Sequence, residues 1–170
     1  MHFIHRQRCG NGGVVSLTFD LNGGTYDEDT VDVEVEAIVG VQISEYILDP
    51  APTYADHAFV GWFTDEALTI PYVPTELISG DTTLYAKWNE LFDVTYDLNG
   101  GNIEASEADV VESDVEAGTL VGSAYDGGTP VRTGYTWTTP YWVTTAGGTT
   151  DGASEPVVAD VTVYAYWVQD

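Results

Sequence analysis

Apolar and polar residues alternate in short runs along this chain, and a period of two is that of half-buried strands. Val15-Ser16-Leu17-Thr18-Phe19 opens the pattern. Asn22-Gly23-Gly24 follows, residue types that tolerate positive φ, so a tight turn is predicted there. Val31-Asp32-Val33-Glu34-Val35-Glu36 alternates cleanly and reads as the returning strand, with its carboxylates toward water. Leu84-Tyr85-Ala86-Lys87-Trp88 alternates again, placing Tyr85 and Lys87 on one face and Leu84, Ala86 and Trp88 on the other. Helical signals are weak. Ser44-Glu45-Tyr46-Ile47-Leu48 supports one or two turns before Pro50 and Pro52 stop it, and Thr75-Glu76-Leu77-Ile78 another turn before Gly80.

The same pattern occurs twice. Leu17-Thr18-Phe19-Asp20-Leu21-Asn22-Gly23-Gly24 returns as Val94-Thr95-Tyr96-Asp97-Leu98-Asn99-Gly100-Gly101, an offset of 96 − 19 = 77. The closing Thr83-Leu84-Tyr85-Ala86-Lys87-Trp88 returns as Thr162-Val163-Tyr164-Ala165-Tyr166-Trp167, an offset of 167 − 88 = 79, so the second copy carries a small insertion. Because both ends match, the chain divides into an N-terminal arm (1–13), a first module (14–89) and a second (90–170), joined at Asn89-Glu90-Leu91. So short a joint is expected to hold the modules in a limited range of angles. Alternation is blurred over Val110-Val111-Glu112-Ser113-Asp114-Val115, and Gly127-Gly128-Thr129-Pro130 leaves no room for a long helix. The predicted class is mainly β (α+β), each module a mostly antiparallel sheet with at most a short helix. Asp20, Asn22, Gly23 and Gly24, with Asp97, Asn99, Gly100 and Gly101, are predicted turn residues. Phe19, Trp62, Tyr85 and Trp88 in the first copy, and Tyr96, Trp137 and Trp167 in the second, are the predicted core.

Composition adds one strong constraint. Four Lys and Arg face 28 Asp and Glu, a net charge of −24. Such a chain repels nucleic acid and anionic membranes, so neither is an expected partner. The acidity keeps the chain soluble; a salt-rich habitat or an acidic binding face is an alternative source. Cys9 is the single cysteine, which rules out an intrachain disulfide. A module of roughly 75 residues is near the lower size limit for a self-sufficient core, and large aromatics are one way to fill it. No apolar run approaches the ~20 residues of a membrane-spanning helix. Residues 1–13 are too short and polar for a secretory signal, so if the full protein is exported its signal and anchor are expected outside this chain; the alternative is that Met1 is a true start and the chain reaches its site by assembly.

Three blocks recur in order: Phe19-Asp20-Leu21-Asn22-Gly23-Gly24, then Pro52 with Phe59-Val60-Gly61-Trp62-Phe63-Thr64-Asp65, then Leu84-Tyr85-Ala86-Lys87-Trp88. Together they resemble the Listeria–Bacteroides repeat, related to the B repeat of internalins. The resemblance runs over residues 15–89 and 92–170. In the second copy Pro130-Val131-Arg132-Thr133-Gly134-Tyr135 follows the family's proline–arginine–glycine–tyrosine pattern. Thr139-Pro140-Tyr141-Trp142 departs from it, where Gly-Trp-Tyr/Phe is usual, and puts the strand after Trp137 in question. The resemblance implies a β-grasp-like fold found in tandem in large surface proteins, often bacterial, as spacer, adhesin segment or interaction module. It implies no catalytic residue.

Other chemistries are weaker against their plain readings. A glycosidase needs two carboxylates flanking one cleft, whereas Asp20 and Asp97 are repeated turn residues. Asp27-Glu28-Asp29 is the densest acidic cluster and reads as a solvated loop, with a loose surface cation site as the alternative, while Asp20-Leu21-Asn22-Gly23 lacks the spacing and the terminal Glu of an EF-hand loop. His2, His5 and Cys9 fall one short of a four-ligand zinc site. No cofactor, metal or catalytic residue is therefore expected. Phe3, Ile4, Arg6 and Arg8 form a basic, apolar arm suited to docking on another copy, and Tyr141 and Trp142 are a candidate exposed pair for a glycan. The leading function is a non-catalytic structural or interaction module of an extracellular or cell-surface protein, with a protein or glycan partner. The alternative is a self-assembling subunit of an extracellular filament or virus particle that binds copies of itself through the arm. A carbohydrate-binding module is a weaker alternative, and a hydrolase comes last.

Overall fold

The computed structural model describes residues 12–170. They fall into two compact units whose bounds are Met1–Asn89 and Glu90–Asp170. The cut lies inside strand β4 (Thr82–Asp97), which closes the first unit and opens the second. Asn89, Glu90 and Leu91, expected as a linker, are strand residues.

In the first unit, β1 (Val14–Asp20) pairs antiparallel with β2 (Val33–Ile38), from Val14 opposite Ile38 to Phe19 opposite Val33. On its other side β1 runs parallel to β4, from Leu17 opposite Thr82 to Asp20 opposite Tyr85. Strand β3 (His57–Phe63) pairs with β4, so the order is β2-β1-β4-β3. The alternation legible in the sequence decides what is buried. Leu17 and Phe19, Val33, Val35 and Ala37, and Leu84 and Ala86 all point into one core. Each large apolar side chain so buried contributes about 1.5–3 kcal/mol. Ile43, in the 3-10 turn Ile43–Glu45, packs into this core with Leu48, Trp62 and Ile78.

The second unit repeats the plan. β4 pairs antiparallel with β5 (Val110–Glu116) and parallel with β7 (Val161–Gln169), from Val94 opposite Val161 to Asp97 opposite Tyr164. β6 (Tyr135–Val143) lies antiparallel to β7, giving the order β5-β4-β7-β6. One helical turn, α1 (Val121–Ala124), replaces the 3-10 turn and buries Val121. Val94, Tyr96, Leu98, Trp142, Val157, Val163 and Ala165 form the core, packed about by Trp137 and Trp167. In each unit the central pairing is parallel, β1 with β4 in the first and β4 with β7 in the second, and the pairing with the returning strand, β2 or β5, is antiparallel.

The blurred alternation near residue 113 is a β-bulge. Phe92 faces Val115, but Val94 faces Glu112, so β5 carries one residue more than β4 over that step. Asp114 absorbs it at φ 59°. Past the bulge the phase resets and Val115 packs against the core.

Candidate functional site

The repeated turn and the repeated tryptophan meet in space. Asn22 and Gly23 have φ of 46° and 90°, and the Gly24 amide donates to the Leu21 carbonyl at 2.9 Å. This is a type I′ turn, the shape that favours Asn-Gly. The Asp20 carboxylate accepts from the Asn22 amide at 2.8 Å, which sets the chain into the turn. The Asn22 side-chain amide then donates to Ala86 O at 3.1 Å, and the Trp88 indole N–H donates to Leu21 O at 3.0 Å. In the second unit the Asn99 amide donates to Asp97 at 2.7 Å, the Asn99 side chain to Ala165 O at 3.1 Å and the Trp167 indole to Leu98 O at 3.0 Å. The eight predicted turn residues thus form two locks between an opening turn and a closing strand.

A flat group lies over each turn, and here the copies diverge. Bridges Thr25–Thr53 and Tyr54–His57 in the first unit correspond to Asn102–Val131 and Arg132–Tyr135 in the second. Tyr54 stacks on His57 with ring centroids 4.1 Å apart and a tilt of 8°, and also meets Trp88 edge-on. In the second unit Arg132 occupies the Tyr54 place. Its guanidinium lies 4.1 Å from the centre of the Tyr135 ring, and its Nη1 donates to Asn99 O at 3.0 Å. Tyr54, His57, Arg132 and Tyr135 are not among the predicted site residues. Their common role shows only when the two copies are aligned through their bridges.

The middle strand contains the insertion. Tyr135 is 78 residues after His57, but Val143 is 80 after Phe63, so β6 carries two residues more than β3. They bulge out between Trp137, opposite Trp167, and Trp142, opposite Ala165. Trp142 therefore takes the place of Trp62. Phe19 meets Trp62 edge-on at 4.9 Å, and Tyr96 meets Trp142 at 4.8 Å.

This corrects one expectation. Trp142 is not an exposed partner of Tyr141; it is 2% exposed and belongs to the core. Tyr141 lies on the surface, its ring tilted by 49° against that of Trp137, whose indole N–H donates to Tyr141 O at 2.9 Å. A second correction concerns Tyr85, which sits on the face of β4 opposite Leu84 and Ala86 and is only half-buried. Phe19, Trp62 and Tyr96 are buried, while Trp88, Trp137 and Trp167 are half-buried and pack against the cores. Phe3, Ile4, Arg6 and Arg8 lie outside the described residues.

The carboxylates with a clear electrostatic signature close loops. Thr69 gives Asp65 both its hydroxyl and its amide, and Ile70 adds a second amide. The hydroxyl bond is the main cause holding Asp65 below the ordinary carboxylate range. Ser154 and the Ala153 amide do the same for Asp151. Tyr96 is perturbed the other way, chiefly by burial, which pushes its hydroxyl well above the ordinary tyrosine range; it donates to Val121 O. Among the described residues, no three His, Cys, Asp or Glu converge to hold a metal.

Each unit has open grooves. In the first, one of about 540 Å³ is lined by Tyr26, Tyr46 and Ile47 with Glu36, Glu45 and Asp49. In the second, grooves of about 540 and 770 Å³ share Arg132, Tyr135 and Trp167 as walls.

Two proteins of Evansella cellulosilytica are similar to this chain. One, named as a Gly-rich membrane protein, is 31% identical over 154 residues, covering 89% of this chain and 16% of its own length. The other, named as a membrane protein, is 34% identical over 170 residues, covering 91% of this chain and 22% of its own. The chain thus spans less than a quarter of either relative. The sequence model of the Listeria-Bacteroides repeat domain matches residues 16–87 and again residues 92–166. Matched once in each unit, the chain belongs to the Listeria-Bacteroides repeat family, as two tandem copies.

Proposed function

We propose that this chain is a non-catalytic structural and interaction segment of a surface-associated protein, serving as spacer or adhesin segment. The observation that carries the reading is duplication of a self-contained unit, each copy with its own core and its own lock. Repetition of a closed module extends a chain and multiplies a surface. The relatives support the same reading, since they are named as membrane proteins and the stretch that matches this chain is a small share of their length. The charge of −24 suits a segment that stays dispersed in water.

The test is labelling of intact cells of the organism that makes the protein, with an antibody raised against this chain. Staining of intact cells, lost after brief surface proteolysis, is expected. Staining that appears only after the cells are permeabilised sinks the proposal.

A further inference from the structure

Acidic residues are spread through most of this chain, and the longest stretch without one marks a place. Residues 90–170 hold 14 Asp and Glu and a single cation, Arg132. Yet residues 127–150 contain no acid. Among the described residues lining the two grooves that meet at Arg132, none is Asp or Glu. The groove of the first unit is the contrast, with three carboxylates among its walls. Of the two acids that flank this stretch, Asp126 and Asp151, the second is engaged in its own loop, accepting from the Ala153 amide and the Ser154 hydroxyl.

We propose that this acid-free face of the second unit binds an acidic saccharide, a short oligosaccharide carrying a uronate carboxylate. Two features choose that chemistry. The first is Arg132 itself. Its guanidinium sits over the Tyr135 ring and is tethered by one bond to Asn99 O, which spends one of its five N–H donors. A planar fork held in place this way matches a carboxylate in two-pronged geometry. The second is the set of rings beside it. Trp137 and Trp167 turn their indole N–H groups to backbone carbonyls, of Tyr141 and Leu98 respectively. What they offer the groove is therefore apolar carbon, which suits the C–H face of a pyranose rather than a second polar group. A lone carboxylate satisfies Arg132 but leaves the rings wet, and a neutral sugar covers the rings but leaves the fork unused. A uronate sugar ring does both. The net charge of −24 opposes long polyanions, so a short ligand is favoured.

The proposal deepens the reading of the chain as an interaction segment and rests on it. Its failure leaves the cell-labelling result untouched, so the two are separable. The experiment is an NMR titration of the full chain with a galacturonate trisaccharide, following the indole N–H signals of Trp137 and Trp167. The parallel probes are the neutral galactose trisaccharide of the same linkage and a tri-glutamate peptide. The uronate is expected to move both signals at about millimolar concentration, with the other two at least roughly tenfold weaker. Arg132→Gln is expected to weaken uronate binding roughly tenfold, and Arg132→Lys to restore part of it. The three-ligand comparison uses the unaltered chain, so it stands even if Arg132→Gln lowers stability. No shift with uronate, equal binding of the neutral sugar or the peptide, or binding indifferent to Arg132→Gln in a folded variant each overturns the proposal.

Discussion

At Gly24 and Gly101 a side chain has nowhere to go. A Cβ on either would stand 2.4 Å from the Cζ2 of the tryptophan in its own lock, Trp88 or Trp167. That ring is pinned by its indole hydrogen bond, so it cannot swing aside freely. Gly24→Ala and Gly101→Ala are each expected to cost about 1–3 kcal/mol or more in a denaturant titration. Gly80, with open space where a Cβ would go, is the control, and Gly80→Ala is expected to change stability by no more than about 0.5 kcal/mol. Equal effects at all three would show that the lock carries no strain of this kind. Tyr96 gives a pH effect at the same scale. Burial raises its folded pKa above the ordinary value of 10.0, so the folded state resists ionisation that the unfolded chain accepts. Stability from this group is complete below about pH 10 and falls as pH rises beyond it. Tyr125, and Tyr72 in the first unit, shift in the same direction. Tyr96→Phe, the residue type the first unit uses at Phe19, is expected to flatten the alkaline loss without abolishing it. A slope of stability against pH unchanged by that substitution would place the titration elsewhere.

Strand β6 is β3 with two residues let out as a bulge, and the core on either side of the bulge is unaffected. Replacing Thr138-Thr139-Pro140-Tyr141 by Val-Gly, the pair between Phe59 and Trp62, is expected to leave the second unit folded with Trp142 still buried. The check is near-ultraviolet circular dichroism, together with an emission maximum for the buried tryptophan that does not move. Loss of the cooperative melt would mean that the bulge is needed for folding. The same element shows where sequence reading stops. Opening turn, opening strand and closing strand were legible because alternation and Asn-Gly-Gly are local signals. The Trp142 position was not, because counting residues from Trp137 cannot show that five steps along β6 span only two of β7. The bulge at Asp114 hid β5 in the same way, by breaking the period of two at one point. Tyr85 differs for another reason: a large aromatic ring in an alternating strand suggests core, yet its phase puts it on the other face of β4. Arg132 was visible in its motif, but its place over the Asn99 turn depends on a crossover that only the fold supplies.

Across the whole molecule, charge acts more than any one pair does. A net charge of −24 repels itself, and ions screen that repulsion over about 10 Å at 0.1 M salt. The melting temperature is expected to rise with sodium chloride and to rise alike with potassium chloride. A large rise with micromolar calcium and little with either monovalent salt would replace screening with a specific cation site. The grooves of the two units share this field but differ in lining, acidic in the first and acid-free in the second. Charge at this scale governs solubility and approach, and the local lining governs what remains bound.

The parallel central pair has a mechanical consequence. In the first unit the chain enters along β1 from Val14 and leaves along β4, and the two strands run side by side in the same direction. Tension applied to the two ends of the unit therefore slides one strand along the other. The pairs from Leu17–Thr82 to Asp20–Tyr85 bear that load together, and the Asn22 and Trp88 hydrogen bonds span the same boundary. An antiparallel hairpin pulled from its open end, such as β1 with β2, gives way one rung at a time. Pulled at its ends in a force spectrometer, each unit is expected to rupture in one abrupt event. The force should exceed that needed when the same unit is pulled across β1 and β2. A segment that holds in shear and yields only as a whole is suited to tethering under flow.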